Sequence, residues 1–172
     1  MKKLMVVAMV AMAAIAANAA KVQWGVNGGT IEQISSGTMF LVWADSAPSF
    51  AGLAEMENFT ESTISSIGGK IVGDSVAYGG GVQTQFTIVK PNNPVAGMAA
   101  GSHKFYTMII SSDGKEFAYS PVASGTILNN ETTLNIAKPA GNFTVVEAAP
   151  EPTSGLLLLL GVAGLALRRR RA

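Results

Sequence analysis

Few side chains in this sequence have the types and spacing that chemistry requires. The chain has no cysteine and a single histidine, His103, so a thiolate nucleophile, a cysteine-ligated metal and a cluster of histidines around a metal ion are excluded within one chain. His103 could act as a general base or as a single metal ligand, but the neighbouring sequence supplies no nucleophile. We therefore expect a solvated histidine at a strand end, and we predict no enzyme activity, no cofactor and no metal site.

The carboxylates show no obvious pairing either. Asp113 lies in a Ser-Ser-Asp-Gly stretch and is explained by a turn, with a calcium-binding loop as the alternative. The other candidates stand alone or fit the solvated face of a helix and its exit; they are Asp45, Asp74, Glu55, Glu57 and Glu61. Because a glycosidase brings its two carboxylates together through the fold, a hydrolase stays open as an alternative.

Two other patterns are better explained by structure than by ligand binding. Gly79-Gly80-Gly81 lacks the Lys-Ser/Thr that completes a phosphate-binding loop. The larger aromatic side chains could form a platform on which sugar rings stack; they are Trp24, Trp43, Tyr78, Tyr106 and Tyr119. Aromatic residues make up an ordinary 7% of the chain, so we expect these rings to pack in the core.

The most specific pattern lies at the C terminus. Pro150-Glu151-Pro152 precedes thirteen uncharged, mostly leucine residues (155–167), and Arg168-Arg169-Arg170-Arg171 follows them. A helix of that length extends about 20 Å, whereas the hydrocarbon core of a bilayer is about 30 Å thick. The segment is therefore marginal as a permanent span but apolar enough to insert for a time. The arginines should remain on the cytoplasmic side.

This order of three parts resembles the PEP-CTERM sorting signal of exported bacterial proteins, over 23 of the 172 residues. The resemblance implies recognition by an exosortase, a membrane-embedded cysteine protease, with Pro150, Glu151 and Pro152 as the recognition element. It implies that Arg168, Arg169, Arg170 and Arg171 stop transfer across the membrane. Removal of the tail and transfer to the cell surface or extracellular matrix would follow. The resemblance says nothing of what the attached domain does.

The N terminus has the layout of a secretory signal peptide. Lys2 and Lys3 precede an apolar stretch, and Ala17-Asn18-Ala19 supplies the small-x-small cleavage pattern. We expect cleavage after Ala19, or one residue later. The partners so implied are the secretion translocon and signal peptidase, and the domain should lie outside the inner membrane while the tail tethers it transiently.

Removing both ends reverses the charge of the chain. Residues 20–149 contain six lysines, no arginine and ten carboxylates, for a formal charge of −4, against +1 for the whole sequence. Phosphate backbones are bound by clustered cations. We therefore predict no nucleic-acid partner.

The domain itself has the pattern of an antiparallel β-sandwich. Short runs of Val, Ile, Thr and aromatic residues alternate with clusters of Gly, Asn, Pro and Ser, which predicts about eight strands. Residues 38–44 are apolar throughout, as expected of a central strand buried on both faces. Residues 71–78 are predicted to form one strand, and residues 48–59 the one short helix. An N-terminal signal helix and a C-terminal apolar helix are expected to flank this all-β domain.

A hairpin is predicted around Ser111-Ser112-Asp113-Gly114. Asp-Gly favours the positive φ values of a tight turn. A loop of two or of four residues places Tyr106, Met108 and Ile110 on the same face as Phe117 and Tyr119, whereas a three-residue loop would invert that face.

The chain thus divides into a signal peptide (1–19), an exported domain (20–147) and a linker with the sorting signal (148–172). In the last part the apolar helix covers 154–167 and the arginines 168–171. We expect a non-enzymatic protein of the cell envelope, cell surface or extracellular matrix with a structural or adhesive role. The alternative is a carbohydrate-binding module, whose partner would be extracellular polysaccharide.

Overall fold

Two β-sheets and one short α-helix make up the computed structural model, which describes residues 20–44, 46–79, 83–89, 101–127 and 133–150. The strands are β1 Ala20–Asn27, β2 Gly37–Ala44, β3 Lys70–Ile71, β4 Val76–Tyr78, β5 Gln83–Val89, β6 Gly101–Ser111, β7 Glu116–Tyr119, β8 Ala123–Ile127, β9 Thr133–Asn135, β10 Lys138–Pro139 and β11 Thr144–Glu147. The helix, α1, is Glu61–Ser66, and short 3-10 helices occupy Leu53–Glu55 and Ala140–Asn142.

The larger sheet is antiparallel throughout, in the order β11-β7-β6-β2-β3. Strand β8 also pairs with β6, and β4 with β2. Strand β2 pairs with β6 over its whole length, from Gly37 opposite Ser111 to Ala44 opposite Lys104. All side chains from Met39 to Ala44 are buried. The prediction of a central strand buried on both faces is confirmed.

The smaller sheet departs from the expected antiparallel arrangement. Strands β1 and β5 are antiparallel, but β9 and β10 both pair with β1 in parallel. Between them the Ile136 N–H donates to the Gln23 carbonyl (2.8 Å). Parallel neighbours need a long connection, and more than a hundred residues separate Asn27 from Thr133.

One hydrophobic cluster joins the two sheets. It contains Trp24 of β1, Trp43 of β2, Phe105 of β6 and Ile127 of β8, all buried. This is the packing expected of two stacked sheets whose inner faces interdigitate.

A second cluster covers the other face of the larger sheet. Phe40, Tyr106, Met108 and Phe117 of the sheet pack there. The cover is supplied by the segment between β2 and β3, and its buried apolar residues are Leu53, Phe59, Ile64 and Ile67. Residues 39–44 of β2 and 105–111 of β6 are therefore buried on both faces, because each face meets a different layer.

The prediction of a helix over residues 48–59 is wrong. That stretch contains only the 3-10 helix Leu53–Glu55, preceded by Gly52 at a left-handed φ of 84°. The α-helix begins later, after Thr60, whose N–H donates to Thr63 Oγ1 (3.0 Å). A side-chain acceptor at that position satisfies a backbone donor that the first helical turn leaves free.

The strand count also differs, with eleven strands in the described residues against about eight expected. The strand predicted over residues 71–78 is two strands, β3 and β4, because Gly73 turns the chain with φ 70°. The hairpin is confirmed: Met108 lies opposite Tyr119 and Ile110 opposite Phe117.

Several predicted features lie outside the described residues. They are the signal peptide with Ala17 and Ala19, Asp45, and the tail from Glu151 onward, so both flanking helices belong to that part. Within the described ranges, no helix is long and apolar enough to cross a membrane.

Candidate functional site at the exit of the C-terminal tail

The tail leaves the domain from an edge strand that is packed on both faces. Strand β11 pairs with β7, with Val145 opposite Ala118 and Val146 opposite Phe117. The Val145 side chain packs on the cluster between the sheets, and Val146 packs on the second cluster. The last strand is therefore part of both cores.

The two residues after β11 are hydrogen-bonded to the domain. The Ala148 N–H donates to the Lys115 carbonyl (2.7 Å), and the Ala149 N–H donates to the Met56 carbonyl (2.7 Å). Ala148 also packs on the second cluster. Ala148 and Ala149, the first two residues of the segment 148–172 that the sequence assigns to a linker and sorting signal, are therefore hydrogen-bonded to the domain. Pro150 is exposed. Because proline has no backbone N–H, it cannot donate a further hydrogen bond to the domain.

The two segments whose carbonyl groups accept hydrogen bonds from Ala148 and Ala149 are also hydrogen-bonded to each other. The Phe59 N–H donates to the Gly114 carbonyl (2.7 Å), and Lys115 Nζ donates to the Glu57 carbonyl (3.2 Å). The β6–β7 loop and the segment that follows the 3-10 helix Leu53–Glu55 thus form one surface beside Ala149.

Asp113 organises the loop from within, as the turn interpretation predicts. Its Oδ1 accepts from Ser111 Oγ (2.7 Å) and from the Lys115 N–H (3.0 Å). The Ser111 hydroxyl and the Lys115 N–H lower the pKa of the Asp113 carboxyl below its ordinary value, because both donors favour the ionised form.

Two carboxylates meet at the last pair of the β11–β7 ladder. Glu147, the last residue of β11, lies directly opposite Glu116 of β7. Glu57 and Asp113 are exposed, and Lys115 is half-buried.

The aromatic residues are packed, as expected. Trp24, Trp43, Tyr78 and Tyr106 are at most 6% exposed, which leaves no ring face on which a sugar could stack. Tyr119 is half-buried, and its ring stacks on Phe50 at 3.7 Å between centroids.

Two of these side chains, Tyr78 and Tyr106, have hydroxyl groups whose surroundings fit a structural role. The Tyr78 hydroxyl accepts from the Ile31 N–H (3.0 Å) and so fixes the loop after β1. Burial raises the pKa of the Tyr106 hydroxyl, since a phenolate would lose its hydration there.

His103 lies near the start of β6, as predicted, but it is half-buried instead of fully solvated. The His103 and Trp43 rings are nearly perpendicular, in an edge-to-face arrangement, with their centroids 5.5 Å apart. Among the described residues, no group of three His, Cys, Asp or Glu side chains is arranged to hold a metal ion. A hollow of about 240 Å³ lies beside the hairpin loop, lined by serines together with Gln33, Asp113 and Glu116.

Of the sequence-predicted sorting residues, Pro150 is described and lies one residue beyond the Ala149 hydrogen bond. Sequence reasoning missed the Lys115 and Met56 carbonyls, because backbone acceptors leave no signal in the residue types.

Residues 148–171 match the family model of the PEP-CTERM protein-sorting motif. No curated protein and no solved structure matches the chain. The matched segment begins at Ala148, which is still hydrogen-bonded to the domain. The C-terminal tail of this chain is a PEP-CTERM sorting motif, which implies export and sorting to the cell surface through an exosortase, a membrane protease.

Proposed function

We propose that the chain is the precursor of a non-enzymatic surface or matrix protein, and that its tail is a temporary tether. The observation that carries this proposal is the motif over residues 148–171, which begins where the last strand of a β-domain ends. The signal peptide exports the domain, and the apolar helix holds it at the inner membrane. The exosortase then cuts the tail and releases the domain to the surface.

Each part of the tail has a separate task in this proposal. Pro150, Glu151 and Pro152 present the recognition element outside the membrane. The apolar residues insert for long enough to be processed, and Arg168-Arg169-Arg170-Arg171 keep the end of the chain in the cytoplasm, since an arginine run resists transfer across a bilayer.

The structural or adhesive role rests on the character of the domain. Its large aromatic side chains, Trp24 and Trp43 among them, are used in packing. Its longest described strand, β6, is buried on both faces from Phe105 to Ser111. A packed domain whose residues 20–149 are acidic and arginine-free suits a component that is displayed and assembled at a surface.

The experiment is to replace Pro150, Glu151 and Pro152 by alanine in the full chain and to follow the tail in the producing bacterium. The wild-type protein should lose the tail, so that mass spectrometry of the mature protein finds no peptide from Leu156 onward. The alanine variant should accumulate in the membrane fraction with the tail intact. Thr153→Ala with Ser154→Ala is the matched control and should be processed normally. Normal processing of the Pro-Glu-Pro variant would contradict the proposal.

A further inference from the structure

The expected cleavage site of the signal peptide lies directly against the first strand of the domain. Cleavage after Ala19 makes Ala20 the first residue of the mature chain, and Ala20 is also the first residue of β1. On the ladder between β1 and β5 it lies opposite Val89. The folded domain therefore leaves no spacer between the bond to be cut and the smaller sheet.

Strand β1 is paired along both of its edges. On one side, antiparallel β5 pairs with β1 from Ala20 to Val26. On the other side, parallel β9 begins its pairing with Thr133 opposite Lys21, and β10 continues it. An extended peptide is recognised through its main-chain hydrogen bonds, so a protease needs free backbone groups on both sides of the bond that it cuts. In the folded domain, neighbouring strands already occupy both edges of β1 beyond Ala20.

Opening β1 beyond its first two residues disturbs the core. Val22, Trp24 and Val26 are fully buried in the cluster between the sheets, so withdrawing them exposes apolar surface to water. Ala20 and Lys21 together extend over about 7 Å. A membrane enzyme that encloses the cleavage site would meet the folded domain within that distance.

Strands β9 and β10, which close the second edge of β1, come near the end of the domain. They begin more than a hundred residues after Asn27, the last residue of β1. Between them, the Ile136 N–H donates to the Gln23 carbonyl (2.8 Å). Pairing of segments so distant in sequence needs both segments to be present, and it is slow. The cleavage site is therefore accessible until this end of the domain has followed β1 across the membrane.

We propose that the incorporation of β1 between β5 and β9 shields the signal-peptide cleavage site, so that the signal peptide must be removed before the smaller sheet is complete. This inference rests on the proposed function, in which the signal peptide exports the domain. It goes beyond that function because it orders two steps of maturation: the N-terminal cut precedes the folding of the domain. A chain that folds first keeps its signal peptide.

The test adds purified signal peptidase of the producing bacterium to the full precursor in detergent, either as the precursor is diluted from urea or after it has folded. Three precursors are compared. One has the native sequence, and the second carries eight Gly and Ser residues inserted between Ala20 and Lys21. The third, the matched control, carries the same insert between Ala149 and Pro150. The insert after Ala20 moves the folded strand up to about 28 Å from the cleavage site and leaves residues 17–19 unchanged.

Enzyme present from the start of folding should cleave all three precursors, and mass spectrometry should find Ala20 at the new N terminus. Enzyme added after folding should cleave the native and the control precursors about tenfold more slowly or less, because cleavage then requires the opened strand. The precursor with the insert after Ala20 should be cleaved equally fast in both orders of addition. Equal rates for the native precursor in both orders, or slow cleavage of the folded precursor with the insert after Ala20, would overturn the shielding of the site.

Two controls keep the inference separate from its foundation. If no precursor is cleaved even with the enzyme present from the start, the signal peptide is disproved and the inference falls with it. Thermal melting of the folded precursors checks that the insert after Ala20 leaves the domain intact. Val145→Ala at native spacing supplies a less stable domain with an unchanged N terminus, because Val145 packs on the cluster between the sheets. Cleavage of this variant as fast as that of the Ala20 insert would mean that general unfolding, and not the spacing, exposes the site, and would overturn the inference.

Discussion

Glu147 lies directly opposite Glu116 on the ladder between β11 and β7, so two carboxylates face each other at the last paired position before the tail. Like charges that are directly opposite in an antiparallel pair destabilise it. The valine positions before them compensate, because Val145 and Val146 pack on separate core clusters. The packing of the two valines therefore stabilises β11, whereas the repulsion between Glu147 and Glu116 destabilises the end of the strand from which the tail leaves.

Reversing one charge of this pair should stabilise the domain. Glu147→Lys places an ammonium opposite Glu116, and a favourable cross-strand pair should raise the free energy of unfolding by about 0.2–1 kcal/mol. Urea denaturation of the mature protein at low ionic strength measures the change.

Glu147→Gln is the matched control, because it removes the repulsion without adding an attraction, and it should give a smaller gain. Raising the salt concentration should reduce the difference between Glu147→Lys and the wild type, since exposed charges are screened. A lower stability for Glu147→Lys at every ionic strength would contradict the repulsion between the two carboxylates.

The sequence correctly predicted the parts of the fold that are determined by neighbouring residues. Asp113-Gly114 specified the hairpin, and the even spacing of Tyr106, Met108 and Ile110 specified its buried face, which the pairing of Ile110 with Phe117 confirms. The apolar run of β2 was understood correctly as a strand with two buried faces, because a short, continuously apolar run rich in aromatic and β-branched residues fits a central strand covered on both sides.

The predictions failed where the structure depends on contacts between segments that are far apart in the sequence. Residues 48–59 have an apolar spacing that fits a helix, yet they cover the larger sheet mostly without one, and α1 starts at Glu61. The parallel pairing of β9 and β10 with β1 joins residues far apart in sequence. The carbonyl groups that hold Ala148 and Ala149 could not be predicted at all, since every residue carries a carbonyl and only the fold selects Lys115 and Met56.

A side chain at Gly114 should weaken the surface around the tail. Gly114 has φ 72°, and a Cβ there would lie 2.9 Å from the Phe59 carbonyl oxygen. Gly114→Ala should therefore lower the free energy of unfolding by about 1–3 kcal/mol, since an L-residue is strained at this φ. Chemical denaturation measures the loss.

The control is Gly79→Ala, where a Cβ would meet no atom of the described residues within 4 Å. That variant should be close to the wild type in stability. Equal losses for the two variants would contradict the close approach of Gly114 to Phe59.

The stability supplied by Asp113 should depend on pH. Its pKa is lowered from the ordinary value of 3.8 by the Ser111 hydroxyl and the Lys115 N–H. A carboxyl with a lowered folded-state pKa stabilises the fold above its unfolded value, and this contribution is lost as the pH falls through the folded value. Asp113→Asn should therefore be less stable than the wild type at pH 7, and the difference should shrink below pH 3.8.

Urea denaturation at pH 7 and at pH 3 checks this. A difference for Asp113→Asn that is the same at both pH values would mean that the ionised carboxylate does not hold the loop.

The hydrogen bonds of Ala148 and Ala149 should be visible in amide exchange. Both N–H groups donate to carbonyls at 2.7 Å, so their exchange with deuterium should be slower than that of an unstructured linker. Ala149→Pro removes the donor to Met56, at an expected loss of about 0.5–1.5 kcal/mol of unfolding free energy in the tail-bearing precursor. Ala149→Ser keeps the N–H and should retain the protection. If the amides at both positions exchange as fast as in a short peptide, the chain leaves the domain at the end of β11 and Ala148 and Ala149 are not held by the Lys115 and Met56 carbonyls.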